Sequence, residues 1–217
     1  MRLRLTFSKT EAMRFTGHLD LQRTLERTIR RANLPLAYSQ GFNPHPKLTL
    51  AAALPLGFTS ACEVADMWLK EDMAVADVKA ALLIAAPPGI TFDSIAAVED
   101  RAPTIQTMLH SAEYHITLLE LGPDLERRTA DLLAMQEIPL TRVRKRKTRT
   151  YDLRPLIEDL TVIEPSPDGN QRLHMRLVAR EGATGRPDEV LKALDIDPAK
   201  TYILRTKLHF NDSEPAG

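Results

Sequence analysis

The chain has 217 residues, 43% of them hydrophobic and 27% charged, and its 29 basic side chains balance 29 acidic ones. That length fits one large domain or two of roughly 100 residues each, and the neutral balance excludes a global field that would draw the protein onto nucleic acid or an anionic membrane. A single cysteine, Cys62, excludes an internal disulfide framework and any cysteine-ligated cluster held by this chain alone.

Met1 to Phe7 alternates charged and apolar residues with no signal-peptide core, and no run approaches the roughly 20 apolar residues of a membrane span. The expected location is the cytoplasm, with no membrane partner. Leu3, Leu5 and Phe7 against Arg2, Arg4 and Thr6 predict a half-buried strand. Leu21, Leu25, Ile29 and Ala32 recur at helical spacing and predict a helix from Leu19 to Ala32, stopped before Asn33 and Pro35. Lys47–Leu54 and Cys62–Leu69 read as strands on either side of Pro55-Leu56-Gly57. Val75–Ala86 reads as a helix ended by Pro87-Pro88-Gly89, and Ile90–Val98 as a strand. The order β-α-β-β-α-β is the split-βαβ, ferredoxin-like pattern.

Residues 101–110 are the expected linker, after which the pattern repeats. It runs through a strand Tyr114–Leu121, a helix Pro123–Gln136 with Leu125, Leu132 and Leu133 inward, and a strand from Leu140. A short helical insertion near Leu153–Leu160, a strand Leu173–Arg180, a helix Pro187–Leu194 and a strand Tyr202–Phe210 complete it. The expected architecture is α+β: two tandem ferredoxin-like halves with antiparallel sheets, residues 1–100 and 111–210, and a frayed tail at 211–217.

Arg142, Arg144, Lys145, Arg146, Lys147 and Arg149 form the strongest charge cluster, with no acid among them. On a strand, Arg142, Arg144 and Arg146 share one face at ~6.7 Å steps, a spacing suited to successive phosphates of an extended single strand. The competing reading is a solvated hairpin whose like charges discourage edge pairing, for which one or two basic residues suffice. Arg23, Arg27 and Arg30 make a basic stripe on the first helix, partly local support because Glu26 can pair with Arg30. With Arg14 they are candidates to frame a groove.

The loop Tyr38–Lys47 is fixed by Gly41, Pro44 and Pro46 and offers Ser39, Asn43, His45 and Lys47 as polar contacts, with Phe42 available for stacking. His18 and His45 are the candidates for general acid and base work on RNA; helix capping and loop support are the bland alternatives. His110, His115, His174 and His209 are scattered, so no metal site is expected, and Cys62 reads as a packed thiol. Gly41 and Gly57 stand alone, outside any phosphate-cradling motif. In Tyr151-Asp152-Leu153-Arg154-Pro155, Asp152 can cap the following helix while Arg154 reaches an acidic partner, and a ligand role stays open beside that.

Phe7-Ser8-Lys9, Arg14-Phe15, Gly17-His18-Leu19-Asp20, Ala37 to Pro44 and Pro55-Leu56-Gly57 resemble the start of the radical SAM-linked protein family. The resemblance continues at Arg144–Lys147, Tyr151–Ile157 and Gly185-Arg186-Pro187. That is a bacterial family without established activity, found beside or fused to radical S-adenosylmethionine proteins. The resemblance implies a radical S-adenosylmethionine partner, which would carry the iron–sulfur cluster and S-adenosylmethionine; this chain, with one cysteine, would hold no cofactor. The expectation is a non-catalytic RNA-binding module presenting transfer or ribosomal RNA, not DNA, to that partner. The alternatives are a subunit docking on the partner without RNA and a metal-independent endoribonuclease using His18 and His45.

Overall fold

The structure is a computed structural model and describes residues 1–120, 122, 124–144 and 147–211. Backbone contacts divide it into unit 1, residues 1–109 with 210–211 of the C-terminus, and unit 2, residues His110–His209.

Unit 1 begins with β1 (Arg2–Lys9), whose Leu3, Leu5 and Phe7 are fully buried while Arg4, Thr6 and Ser8 face the other side. In α1 (His18–Arg31) the spacing that predicted the helix is the face it buries, with Leu21, Leu25 and Ile29 inward. Asn33 ends it in the left-handed region at φ 54°, a conformation asparagine tolerates better than most residues. β2 (Leu48–Leu50), β3 (Thr59–Trp68), α2 (Val75–Ala85) and β4 (Ile90–Val98) follow. Each pairing in the order β2-β3-β1-β4 is antiparallel, with Leu3 opposite Met67 and Leu5 opposite Ala65. One apolar cluster joins β1, α1, α2 and β4 through Phe7, Leu25, Leu82 and Phe92. The segment expected as a linker is part of this unit through Leu109. Arg2 donates to the Ala102 and Pro103 carbonyls at 2.6 and 2.8 Å, and α3 (Ile105–Met108) buries Ile105.

Unit 2 comprises β5 (Leu109–Leu118), α4 (Leu125–Ala134), β6 (Pro139–Arg144), β7 (Lys147–Asp152), β8 (Ile157–Ile163), β9 (Arg172–Arg180), β10 (Ala183–Thr184), α5 (Pro187–Ala193) and β11 (Thr201–Phe210). Its sheet runs β11-β5-β9, and β8 and β10 both pair with β9. Ala112, Tyr114, Ile116 and Leu118 bury one face of β5 while Ser111, Glu113, His115 and Thr117 take the other. β6 and β7 form a separate antiparallel hairpin.

The expected helical insertion at Leu153–Leu160 is a correction. Only Arg154–Leu156 make a 3-10 turn, and Ile157–Ile163 are a strand against β9. Pro155, in the first turn, is compatible with a helix start, so the cause lies further on: burial of Ile157 and Leu160 opposite Leu177 and Met175 rewards the extended chain. Strand β2 is also shorter than the expected Lys47–Leu54. The chain is thus a mixed α+β protein whose described strand pairs are antiparallel.

Candidate nucleic-acid interface and the motif clusters

The basic segment lies on the β6–β7 hairpin. Its register sets Arg142 opposite Arg149 and Arg144 opposite Lys147, while Lys145 and Arg146 lie outside the described residues. Directly opposed like charges oppose pairing. The hairpin's base is held by side chains.

There, one oxygen of Asp152 accepts from the Ile138 and Arg154 amides at 2.7 and 2.9 Å; it caps no helix, since the short turn that follows has Leu153 at its N-cap and no side-chain cap. Leu153, fully buried, donates its amide to Ile138 at 2.9 Å. Among the described residues Arg154 pairs with carbonyls rather than an acid: Nε donates to the Leu133 carbonyl at 3.1 Å and Nη1 to the Ile157 carbonyl at 3.2 Å. A carbonyl in the last turn of α4, lacking an intrahelical donor, explains the preference for a guanidinium. Gly185 closes in from another strand end, where a Cβ would meet the Leu156 carbonyl at 2.9 Å.

The loop 38–47 is in unit 1. Its neck is closed by Ser39 N to His45 O at 2.8 Å, His45 N to Ser39 Oγ at 2.9 Å, and Lys47 N to Ala37 O at 2.8 Å. Gly41 takes φ 131°, which favours glycine. Phe42 is 99% exposed, and Asn43, His45 and Lys47 are exposed beside it. His18 is the first residue of α1 and half-buried. On α1, Arg23 pairs with Asp20 at 3.2 Å and Arg30 with Glu26 at 3.8 Å, leaving Arg27 as an exposed third member of the stripe.

Two constellations escaped the reading of single residues. In the first, Lys9 is fully buried and its ammonium donates to the Phe58 and Arg14 carbonyls at 2.9 and 3.2 Å. Arg14 Nε donates to Gly57 O at 2.9 Å, while Gly57 N donates to Arg14 O at 3.0 Å. Two neighbouring N-terminal motifs and a third one far along the sequence thus form one clamp. Next to its residues in sequence stand Phe15 and Leu56, 74% and 63% exposed.

The second lies on one face of the unit 2 sheet. Asp159 on β8 meets His174 Nδ1 at 2.9 Å, and His174 Nε2 faces Glu113 at 3.5 Å. The other Glu113 oxygen meets His209 Nε2 at 2.5 Å. His115 packs edge-on to His174, its cross-strand neighbour. Burial works to raise the Glu113 carboxyl, but hydrogen bonds from His209 and His174 outweigh it, and Glu113 titrates below its ordinary range. Burial lowers His115, helped by the charges of His174 and Arg172 and opposed by Glu113. Histidines scattered in sequence are therefore gathered here, because period-two alternation on β5 and β9 puts them on one face. The signal was present as alternation; the pairing of strands was not. Both nitrogens of His174 are engaged by carboxylates, and among the described residues no group of three or more His, Cys, Asp or Glu is placed to hold a metal ion. Cys62 is half-buried, its amide bonded to Ser60 Oγ at 3.2 Å. Among the described residues no helix is long and apolar enough to cross a membrane.

No curated protein matches the chain. Among solved structures it is similar to one described as a Cbf5-Nop10-Gar1 complex, with TM-score 0.46 and 12% identity over 97% of this chain and 50% of that one. It is also similar to the archaeal box H/ACA sRNP Nop10-Cbf5 complex, with TM-score 0.38 and 13% identity over 89% of this chain and 45% of that one. The chain spans about half the length of these solved chains. A family model matches residues 2–187, and the chain belongs to that family, described as an uncharacterized protein conserved in bacteria (DUF2344).

Proposed function

We propose that this protein is a non-catalytic RNA-binding module that works with a radical S-adenosylmethionine enzyme on transfer or ribosomal RNA. The observation that carries the RNA reading is the hairpin register. Arg142 stands opposite Arg149 and Arg144 opposite Lys147, and no acidic residue occurs between Leu140 and Tyr151. A cross-strand ladder is ordinarily stabilised by opposite charges. A basic run without an acid suits a phosphate backbone, which gives up condensed counterions when such a run binds it.

The architecture reading goes with it. Unit 1 orders its strands β2-β3-β1-β4, and unit 2 orders the corresponding strands β8-β9-β5-β11. That shared order supports two ferredoxin-like halves, the second carrying the hairpin as an insertion between its first helix and second strand.

If about six phosphates are neutralised, log affinity for single-stranded RNA falls against log salt with a slope near roughly −4. Replacing Arg142, Arg144, Lys147 and Arg149 by serine should flatten the slope to roughly −1 and leave thermal stability unchanged. Unchanged affinity in that variant removes the hairpin from RNA binding.

The docking reading has its own observation. Phe15, Leu19, Leu56 and Phe42, all in or beside the motifs of the first 60 residues, are 74%, 67%, 63% and 99% exposed. Phe15 and Leu56 flank the mutually bonded Arg14 and Gly57, and an exposed apolar patch marks a protein contact where singly exposed residues do not. Co-purification with the radical enzyme that survives nuclease treatment and is lost in Phe15→Ser/Leu56→Ser supports this reading; co-purification abolished by nuclease returns the balance to RNA.

A further inference from the structure

The Tyr151–Ile157 motif has two charged residues, Asp152 and Arg154, and both bond backbone groups of the protein itself. Its geometry is that of a mount. A two-stranded hairpin is marginal in water, and this one has two like-charged cross-strand pairs in its register. Left to itself it would leave the sheet in many directions. Each phosphate contact would then cost the entropy of ordering the hairpin as well as the side chain.

The base removes that freedom at both feet. Asp152 Oδ1 takes the amide of Ile138, just before β6, at 2.7 Å and the amide of Arg154, just after β7, at 2.9 Å. Arg154 then binds the base to its two neighbours, Leu133 O in α4 at 3.1 Å and Ile157 O at the start of β8 at 3.2 Å. The guanidinium fork fixes two directions at once, which a lysine cannot do.

Resting on the RNA reading above, we infer that Asp152 and Arg154 are positioning residues that aim the β6–β7 hairpin, so that RNA affinity depends on them although neither touches RNA. Asp152 supplies one acceptor to two amides, a duty the carbonyl oxygen of asparagine also performs. Alanine performs it not at all. The function of the motif is thereby separable from its charge.

The test uses the full chain and a fluorescein-labelled mixed-sequence single-stranded RNA, titrated over a range of salt, with thermal unfolding in parallel. Asp152→Ala and Arg154→Lys should each weaken binding at low salt by about tenfold and flatten the slope from roughly −4 toward −3, as fewer phosphates are met together. Asp152→Asn should bind as the wild type. Arg154→Lys keeps the charge and the fold, so it decides the matter if Asp152→Ala does not fold. Wild-type affinity and slope in a folded Arg154→Lys protein, while the hairpin serine variant loses binding, overturn the mount and leave the RNA reading standing. If the hairpin serine variant also binds as wild type, the RNA reading itself has failed.

Discussion

Each unit ties its strands together with a charged network, and the two networks are built from different chemistry. In unit 1, Asp66 on β3 is fully buried and shared by two arginines of β1, with Arg2 Nη2 at 2.6 Å and Arg4 Nε at 2.8 Å. In unit 2, Glu113 on β5 is shared by two histidines, His209 at 2.5 Å and His174 at 3.5 Å. Guanidinium stays charged at any pH a protein survives; imidazole does not. The cations of the first network, the brace, are therefore permanent and those of the second, the titrating network, are not, although the strand order around the two is the same.

Breaking the brace should have the largest effect. Asp66→Ala leaves the Arg2 guanidinium, 2% exposed, without a carboxylate, held by the Ala102 and Pro103 carbonyls and lying over the Trp68 ring at 5.1 Å. Removing one member of a buried charged set costs about 3–5 kcal/mol because the remaining charge stays desolvated. The unfolding midpoint should drop by roughly 10 °C. Replacing all three by apolar residues, Arg2→Met, Arg4→Met and Asp66→Leu, should cost much less, since nothing charged is then stranded. A small shift in Asp66→Ala shows that water reaches Arg2 and that the brace is not buried in solution.

How much of this was legible follows from what periodicity can and cannot encode. The alternation of Leu3, Leu5 and Phe7 and the helical spacing of Leu21, Leu25 and Ile29 marked β1 and α1 correctly because each burial face is local in sequence. The helical reading of Leu153–Leu160 failed because a strand of seven residues, Ile157–Ile163, is specified by the strand it pairs with, 15 or so residues on, rather than by its own spacing. The same limit hid the charged networks. Asp66 acquires its arginines and Glu113 its histidines only through register across strands. The charge density of 142–149 was legible, being contiguous; its mount was not, since Leu133 and Ile138 join Asp152 and Arg154 only through the turn.

The network around Glu113 gives a pH signature. Glu113 is held below its ordinary value of 4.5, so it contributes stability above that pH, lost as pH falls through its lowered folded value. His115 is held below its ordinary value of 6.5, so the folded state resists a proton that the unfolded chain accepts, and stability declines as pH falls from about 6.5. Both act in one direction. Unit 2 should unfold more easily on acidification, His115 first and Glu113 later. Asp159, Arg172, Arg176, His174 and His209 lie on the strands around these groups, so the decline reports their shared field rather than one isolated residue. Glu113→Gln should remove the lower limb of the profile. Protection factors for the amides of β5, β9 and β11, corrected for the intrinsic pH dependence of exchange, that are the same at pH 7 and pH 5 contradict the assignment.

The smallest effect belongs to a charge pair that resembles both networks on paper. Arg23 and Asp20 stand 3.2 Å apart on α1, each 66% exposed, so water already solvates both and holding two long side chains together costs about what their attraction returns. Arg23→Ala should change stability by less than about 0.5 kcal/mol. It should also change RNA affinity less than any hairpin substitution, because Asp20 and Glu26 stand beside two of the three stripe arginines, whereas the hairpin cluster has no acid in its sequence. A loss in Arg23→Ala equal to that of the hairpin variant would mean that α1 meets phosphate directly, and the stripe would then rank with the hairpin as a binding surface. The contrast rests on burial and neighbours, since the separation alone, 3.2 Å against 2.6–2.8 Å in the brace, does not rank a surface pair against a buried one.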